Sequence, residues 1–152
     1  MGNVVTLEDG MKAPLFSAED SEGNVWNLSD ILAEGKRVVL YFYPKDSTPG
    51  CTTQACDFRD NMNTLSSAGI AVFGVSKDSA KSHQKFSGKQ DLNFPLLMDT
   101  EGDLLEHYGV WREKKNYGRT YMGISRSTFV IEADGMLSMA KYGVKAKGHV
   151  AR

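Results

Sequence analysis

Cysteine is scarce in this chain: Cys51 and Cys56 are the only two among its 152 residues. Two cysteines five positions apart do not make the framework of disulfides on which small secreted domains depend. A chain of this length can bury a hydrophobic core large enough to fold without cross-links. With 41% hydrophobic and 24% charged residues, the composition is typical of a globular protein, and we predict a single domain over residues 1–152.

An excess of charge of either sign is also missing. Lysine and arginine number 18 against 19 aspartates and glutamates, a formal net charge of -1, which argues against a surface for nucleic acid or anionic lipid. No stretch approaches the roughly 18 consecutive apolar residues of a membrane span, and the first residues lack the features of a secretory signal. We therefore expect small molecules and proteins as partners, no nucleic acid, no membrane, and a cytoplasmic location.

Proline is rare as well, yet two of the four prolines, Pro44 and Pro49, flank one short turn. The turn follows residues 36–43, in which two basic residues lead into an unbroken apolar and aromatic run; such a run is typical of a central parallel strand covered on both faces. Pro49 suits the first position of a helix, and Thr48 before it can act as the N-cap. Cys51 then lies in the first helical turn, where unpaired N–H groups and the positive dipole end stabilise a thiolate. The sequence predicts that Cys51 is a nucleophile.

The spacing of the two cysteines predicts a second property. On an ideal helix, positions five apart have Cα atoms on the order of 8 to 9 Å apart, whereas a disulfide needs less than about 7 Å. If Cys51 and Cys56 ever join, the first turns of the helix must therefore unwind. Oxidation would be coupled to local unfolding, as in a switch rather than a structural staple.

Strand and helix signals alternate after this helix. Apolar stretches predict strands at residues 69–76 and 94–98, and helices are predicted at 79–87 and about 102–108. This βαβα alternation indicates an α/β fold with parallel strand pairing. Ligands of open α/β sheets bind beyond the carboxyl ends of the strands, where the loop at residues 43–50 emerges.

Hairpins are predicted near both ends of the chain. Residues 16–28 form the first, and Ser29 with Asp30 is predicted to cap a short helix after it. Residues 127–142 form the second and close one side of the sheet. A long polar stretch follows Trp111, and no strand or helix is predicted within it.

Three consecutive motifs around the cysteines match a known family. They read Tyr-Phe-Tyr-Pro-Lys-Asp at residues 41–46, Thr-Pro-Gly-Cys-Thr at 48–52 and Cys-x-Phe-Arg-Asp at 56–60. The chain resembles the peroxiredoxins, in particular their bacterioferritin-comigratory or Q-type subfamily. The P-x-x-x-T-x-x-C pattern of that family is complete in Pro44, Thr48 and Cys51.

The resemblance covers nearly the whole chain, from Ala13-Pro14-Leu15-Phe16 through Gly109-Val110-Trp111 to the turn at residues 133–135. It implies a thioredoxin-like fold, with a central mixed β-sheet flanked by helices and a β-hairpin at the N-terminus. Residues 143–152 end where similar proteins continue into a last helix, so that helix is expected to be truncated or omitted.

The resemblance also implies a thiol peroxidase that needs no metal or other cofactor. Cys51 attacks hydrogen peroxide or an organic hydroperoxide and becomes a sulfenic acid, and Cys56 resolves it as an intramolecular disulfide. Thioredoxin or a similar dithiol protein then reduces that disulfide through a mixed disulfide. Since the pair lies within one chain, we expect a monomer.

The family pattern assigns tasks to the neighbours of Cys51. The Thr48 hydroxyl hydrogen-bonds the thiolate and the peroxide, Pro44 shields the site from water, and the Cys51 N–H polarises the substrate. Gly50 is expected to line the substrate site. Arg126, just before the second hairpin, is the guanidinium that stabilises the thiolate and holds the peroxide oxygen.

Competing interpretations of single residues stay open at this stage. Either cysteine can be a buried small hydrophobe, and Arg59 on the cysteine helix competes with Arg126 for the place beside the sulfur. A structural zinc site needs about four ligands, which two cysteines and scattered histidines do not supply. Packing or surface positions are expected for all three histidines, His83, His107 and His149.

Two other functions compete with a peroxidase. A redox-sensing or binding module would use the same disulfide switch to alter a partner surface without turnover, and catalytic consumption of peroxide separates the two. A general disulfide oxidoreductase is disfavoured, because such sites usually carry C-x-x-C, whose cysteines bridge with little rearrangement.

Overall fold

The computed structural model describes residues 6–99, 102–116 and 118–143. His149 and the region expected to lead into a last helix lie outside the described residues. None of the helices in those three ranges is long and apolar enough to cross a membrane. The strands are β1 (Ser17–Asp20), β2 (Val25–Asn27), β3 (Arg37–Phe42), β4 (Ile70–Ser76), β5 (Leu96–Met98), β6 (Trp111–Asn116), β7 (Arg119–Ile124), β8 (Ser127–Ile131) and β9 (Leu137–Tyr142). The helices are α1 (Leu28–Ala33), α2 (Pro49–Ser67), α3 (Ala80–Gln90) and α4 (Asp103–His107).

A seven-stranded mixed sheet, in the order β2-β1-β5-β4-β3-β8-β9, forms the centre of the fold. β3, β4 and β5 run parallel to one another, as the βαβα pattern predicts. β1 and β2 form the predicted N-terminal hairpin, and β8 and β9 form the second one beside β3. The predicted thioredoxin-like arrangement, a mixed sheet flanked by helices, is confirmed.

Strand β3 is buried on both faces because its alternate side chains enter two separate cores. Val38, Leu40 and Phe42 pack with apolar side chains of α1 and α4. Val39 and Tyr41 pack with those of α2 and α3. Successive side chains of a strand point to opposite faces, so an apolar run without polar breaks requires cover on both sides. Because β3 lies inside the sheet, the end of β3 and the loop before α2 lie between neighbouring strands, on the side of the sheet where β3 ends.

The polar stretch after α4 forms a hairpin that the sequence does not predict. β6 and β7 pair antiparallel, with Trp111 opposite Ile124, and make a separate two-stranded sheet. The residues of β6 are mostly polar and lack the apolar alternation of a strand that packs on a core. The two ends of the hairpin lie together, since the N–H of Ser125 after β7 donates to the carbonyl of Val110 before β6 at 2.7 Å.

Helix α1 is capped by Asn27, so the prediction of a cap at Ser29 and Asp30 is wrong. Asn27 has an extended backbone, and its side-chain oxygen accepts the N–H of Ser29 at 3.1 Å. Ser29 and Asp30 already lie inside the helix. A capping side chain leaves from a residue of non-helical conformation, and Asn27 has that conformation as the last residue of β2.

Gly74 in β4 lies directly against Tyr41 of the neighbouring strand. A Cβ atom at this position would be 2.8 Å from the Tyr41 hydroxyl oxygen and 2.9 Å from Leu96 Cδ2. We expect Gly74→Ala to lower the free energy of unfolding by about 1 to 3 kcal/mol, because a packed core does not absorb an added methyl group. Urea unfolding measures the change. Gly88→Ala in α3, whose Cβ would meet nothing within 4 Å, is the control and should be neutral or stabilising. Equal stability of the two variants would contradict the expected clash.

Candidate active site

Cys51 lies in the first turn of α2, directly beyond the end of β3. Pro49 is the first helical residue and Thr48 holds the N-cap position with an extended backbone, as the sequence predicts. The cysteine is buried, with 1% of its surface exposed. Among the described residues of the first turn none is acidic, so the positive end of the helix dipole faces the sulfur without a compensating carboxylate.

The side chain of Thr48 does not cap the helix, although its position is that of an N-cap. Its hydroxyl donates to the carbonyl oxygen of Lys45 at 2.9 Å. Its own carbonyl accepts the N–H of Thr52 at 2.8 Å, so Thr48 joins the loop to the helix on both sides. A hydroxyl oxygen that donates its hydrogen in this way keeps lone pairs that can accept one.

Arg126 contacts the sulfur of Cys51 across 75 positions of sequence, with Nη2 3.2 Å from Sγ. The pairing of β8 with β3 explains the contact. Ser127, the first residue of β8, lies opposite Phe42, the last residue of β3, in the antiparallel register. Arg126 therefore lies at the same end of the strands as the loop before α2. Arg59, the competing arginine, turns away and donates through Nη1 to the backbone carbonyl of Gln90 at 2.7 Å.

Gln54 holds the guanidinium from the other side and was not singled out from the sequence. It is fully buried, and its Oε1 accepts a hydrogen bond from Arg126 Nη1 at 2.7 Å. Its Nε2 has no hydrogen-bond partner among the residues that the structure describes. Residues three apart share one face of a helix, so a polar side chain three positions after Cys51 is the sequence signal that could have identified it.

Aromatic side chains form the floor beneath the thiol. Tyr41 stacks on Phe58 with ring centroids 4.5 Å apart, and both belong to the same apolar cluster as Cys51. Burial raises the pKa of Tyr41 well above its ordinary value, and its electrostatic interaction with Cys51 adds to the increase. Tyr41 is therefore a neutral phenol, and Arg126 is the charged group that contacts the sulfur.

Cys56 lies in the same uninterrupted helix as Cys51. Both are free thiols, and Cys56 is half-buried. Its Sγ donates to Oε1 of Gln90, at the end of α3, over 3.5 Å. The two sulfurs can meet only if the helix between them unwinds, because a continuous helix holds these positions too far apart.

The remaining predicted residues differ in how far they are exposed. Pro44 is exposed at the start of the loop that follows β3, and Gly50 is half-buried next to Cys51. His107 is exposed, whereas His83 is fully buried.

Comparison with known proteins identifies the family. The sequence model of the AhpC/TSA family matches residues 10–140. A putative peroxiredoxin Bcp of Coxiella burnetii is 48% identical over 97% of this chain and 96% of its own length. The peroxiredoxin Bcp of Bacillus subtilis is 49% identical over 97% of this chain and 92% of its own length.

Solved structures agree with the sequence comparison. The bacterioferritin comigratory protein of Xanthomonas campestris, described for its alkyl peroxide reduction activity, superposes with a TM-score of 0.86. It is 38% identical and the match covers 94% of this chain and 93% of that one. A PrxQ structure from Xylella fastidiosa gives a TM-score of 0.87 at 35% identity, covering 99% and 93%. The chain belongs to the AhpC/TSA family and is a peroxiredoxin of the Bcp/PrxQ type, a thiol peroxidase.

Proposed function

We propose that this peroxiredoxin reduces hydrogen peroxide and organic hydroperoxides through a sulfenic acid at Cys51. We further propose that Cys56 resolves it as an intramolecular disulfide and that thioredoxin or a similar dithiol protein restores the thiols. The observation that carries the proposal is the 3.2 Å contact between Arg126 Nη2 and Cys51 Sγ at the start of a helix. The guanidinium and the helix N-terminus both place positive charge beside the sulfur, where negative charge appears during the reaction.

In the first step the thiolate attacks the terminal oxygen of the hydroperoxide. The S–O bond forms as the O–O bond breaks, the sulfur is oxidised, and the leaving alkoxide or hydroxide takes a proton to depart as alcohol or water. Arg126 and the Cys51 N–H stabilise the negative charge as it moves to oxygen. Thr48 accepts the hydrogen of the peroxide, since its own hydrogen is held by Lys45. Gly50 leaves room for the substrate, and Pro44 limits the access of water.

Arg126 provides a test of this charge stabilisation. We expect Arg126→Met to slow the reaction of Cys51 with hydrogen peroxide by about 100-fold, the usual cost of removing one donor to a developing oxyanion. Arg126→Lys should recover part of the rate, because it keeps the charge but loses the planar fork that contacts both Cys51 and Gln54. Stopped-flow measurement of the first oxidation gives the rate constants.

The matched control for that series is Arg37→Met. Arg37 lies at the opposite end of β3, where it forms an exposed ion pair with Glu132 at 3.0 Å. This variant should react with peroxide at the unchanged rate. If Arg126→Met were as fast as Arg37→Met, the guanidinium would have no part in peroxide reduction.

In the second step the Cys56 thiol attacks the sulfenic sulfur, and water leaves. The continuous helix through both cysteines supports coupling of this step to local unwinding. The unwound disulfide is then open to attack by an external thiolate. Because both sulfurs belong to one chain, the cycle works in a monomer, and it requires a reducing compartment such as the cytoplasm.

The experiment that tests the cycle adds one equivalent of hydrogen peroxide to the reduced protein. Intact mass follows the sulfenic acid and the disulfide, and stopped-flow fluorescence of Trp26 and Trp111 gives the rate. The expected result is fast loss of two hydrogens with a Cys51–Cys56 bond, followed by repeated turnover with thioredoxin and its reductase. A disulfide that forms without repeated consumption of peroxide would favour the redox-sensing module instead.

A further inference from the structure

A buried hydrogen-bond network lies behind the loop that leads to Cys51. The carboxylate of Asp46, in the middle of that loop, is 5% exposed. One oxygen accepts the Tyr43 hydroxyl at 2.5 Å. The other accepts the Ser82 hydroxyl at 2.9 Å and lies 2.6 Å from His83 Nδ1. Burial raises the pKa of Tyr43 well above its ordinary value, so this phenol keeps its hydrogen and donates it.

His83 links the carboxylate to the central sheet. The ring is fully buried in α3, and its Nε2 lies 3.0 Å from the carbonyl oxygen of Leu97 in β5. A carbonyl only accepts hydrogen bonds, so Nε2 carries the hydrogen of that contact, and Nδ1 is the ring atom that pairs with the Asp46 carboxylate. The backbone N–H of Asp46 donates to Asp78 at 2.8 Å. The loop is thus held through its side chain and its backbone.

The same atoms could be considered as a metal site, since the ligand atoms of Asp46, Asp78 and His83 lie within 4.8 Å of one another. Their hydrogen bonds argue against that use. The Asp46 oxygen that faces His83 also accepts from Ser82, and the Asp78 oxygen accepts from Ser76 and from the Asp46 N–H. A cation would break these contacts, so the group is better suited to holding the loop.

The held loop is the one that shapes the reacting centre. Lys45, next to Asp46, offers the carbonyl that receives the Thr48 hydroxyl at 2.9 Å. Thr48 in turn accepts the N–H of Thr52 in the first turn of α2. Fixing Asp46 therefore fixes Lys45, the orientation of Thr48, and the start of the helix on which Cys51 lies.

We propose that Asp46 and His83 are positioning residues that fasten the Cys51 loop to α3 and thereby favour peroxide reduction while restraining the unwinding that disulfide formation requires. The second half of this inference rests on the proposed resolving role of Cys56. The two buried groups therefore have opposite effects on the two successive steps: they speed formation of the sulfenic acid and slow its capture by Cys56. The sulfenic acid that is held in place is also exposed longer to a second peroxide, which oxidises it to a sulfinic acid and releases water.

The test compares His83→Leu, which removes the hydrogen bond, with His83→Asn, whose amide can still donate to Asp46. The control is His107→Leu, because His107 is exposed on α4. In a Cys56→Ser background, stopped-flow gives the rate of sulfenic acid formation. In the two-cysteine chain, intact mass after graded hydrogen peroxide gives the ratio of disulfide to sulfinic acid.

We expect His83→Leu to slow sulfenic acid formation by about tenfold and to raise by about tenfold the peroxide concentration that gives half-maximal sulfinic acid, as for loss of one hydrogen bond to a charged group. His83→Asn should lie near the wild type in both measurements, and so should His107→Leu. The positioning role would be overturned if His83→Leu left both the rate of sulfenic acid formation and the half-maximal peroxide concentration unchanged. It would also be overturned if both values changed but His83→Asn did not restore them, or if His83→Leu formed the disulfide more slowly than the wild type.

A second variant covers the case in which His83→Leu does not fold. Tyr43→Phe removes one hydrogen bond to Asp46 without opening a cavity, and we expect shifts of the same sign but smaller size; unchanged rates would count against the proposal. Failure of the proposed cycle looks different, because the wild type itself would then form sulfenic acid without a disulfide. The sulfenic acid rates of the His83 variants still decide the positioning role in that case.

Discussion

Cys51→Ser is expected to lower the rate of hydrogen peroxide reduction by roughly three orders of magnitude or more. Serine keeps the size of the side chain and the helix start, but its hydroxyl does not ionise near neutral pH and is a far weaker nucleophile than a thiolate. Arg126, at 3.2 Å from the native sulfur, would then have no anion to stabilise. Competition for peroxide against a thiol of known rate measures the loss.

Cys56→Ser is the matched control for that substitution, since it makes the same chemical change in the same helix five positions later. It should leave the first oxidation within about twofold of the wild type, a change typical of a half-buried site that makes one weak contact. If the two serine variants lost the first oxidation equally, the loss would come from damage to α2 rather than from removal of a nucleophile.

Cys56→Ser itself should stop turnover with thioredoxin as the reductant, and this is the second large effect. We expect one equivalent of peroxide to be consumed in a burst, followed by a steady rate at least about 100-fold below the wild type, because thioredoxin has no disulfide with which to exchange. A coupled assay with thioredoxin reductase measures both phases. Full multi-turnover activity in this variant would overturn the resolving role of Cys56.

A small thiol distinguishes a missing resolving cysteine from a damaged enzyme. Dithiothreitol can reduce the Cys51 sulfenic acid directly, so its addition should restore turnover to Cys56→Ser and leave Cys51→Ser inactive. Lack of rescue in Cys56→Ser would indicate that the sulfenic acid is never formed or is too well shielded for an external thiol.

Much of the sheet and the cysteine helix could be predicted because their signals are local. The strand predicted at residues 36–43 corresponds to β3, observed at Arg37–Phe42, and Pro49 starts α2 as expected. A proline that already has helical φ, and a run of β-branched and aromatic residues, act on the backbone within a few positions. Such signals can be recognised within a short window of the sequence.

Other elements were missed because their cause lies elsewhere in the chain. The β6–β7 hairpin is largely polar and forms a sheet of its own, so no apolar alternation reveals it. Helix α1 takes its cap from Asn27 because the hairpin before it ends in extended backbone there. Gln54 and Asp46 read as ordinary polar residues until Arg126 and His83 are seen beside them.

The sequence by itself determined that Cys51 lies in the first turn of a helix after a central strand, and that Cys56 follows on the same helix at a distance no disulfide spans without unwinding. Only the tertiary structure decided which charged groups serve that centre. The pairing of β8 with β3 brings Arg126 to the sulfur, and α3 brings His83 to the loop across 37 positions. Contacts between distant segments depend on strand register and packing, which residue types within a short window do not encode.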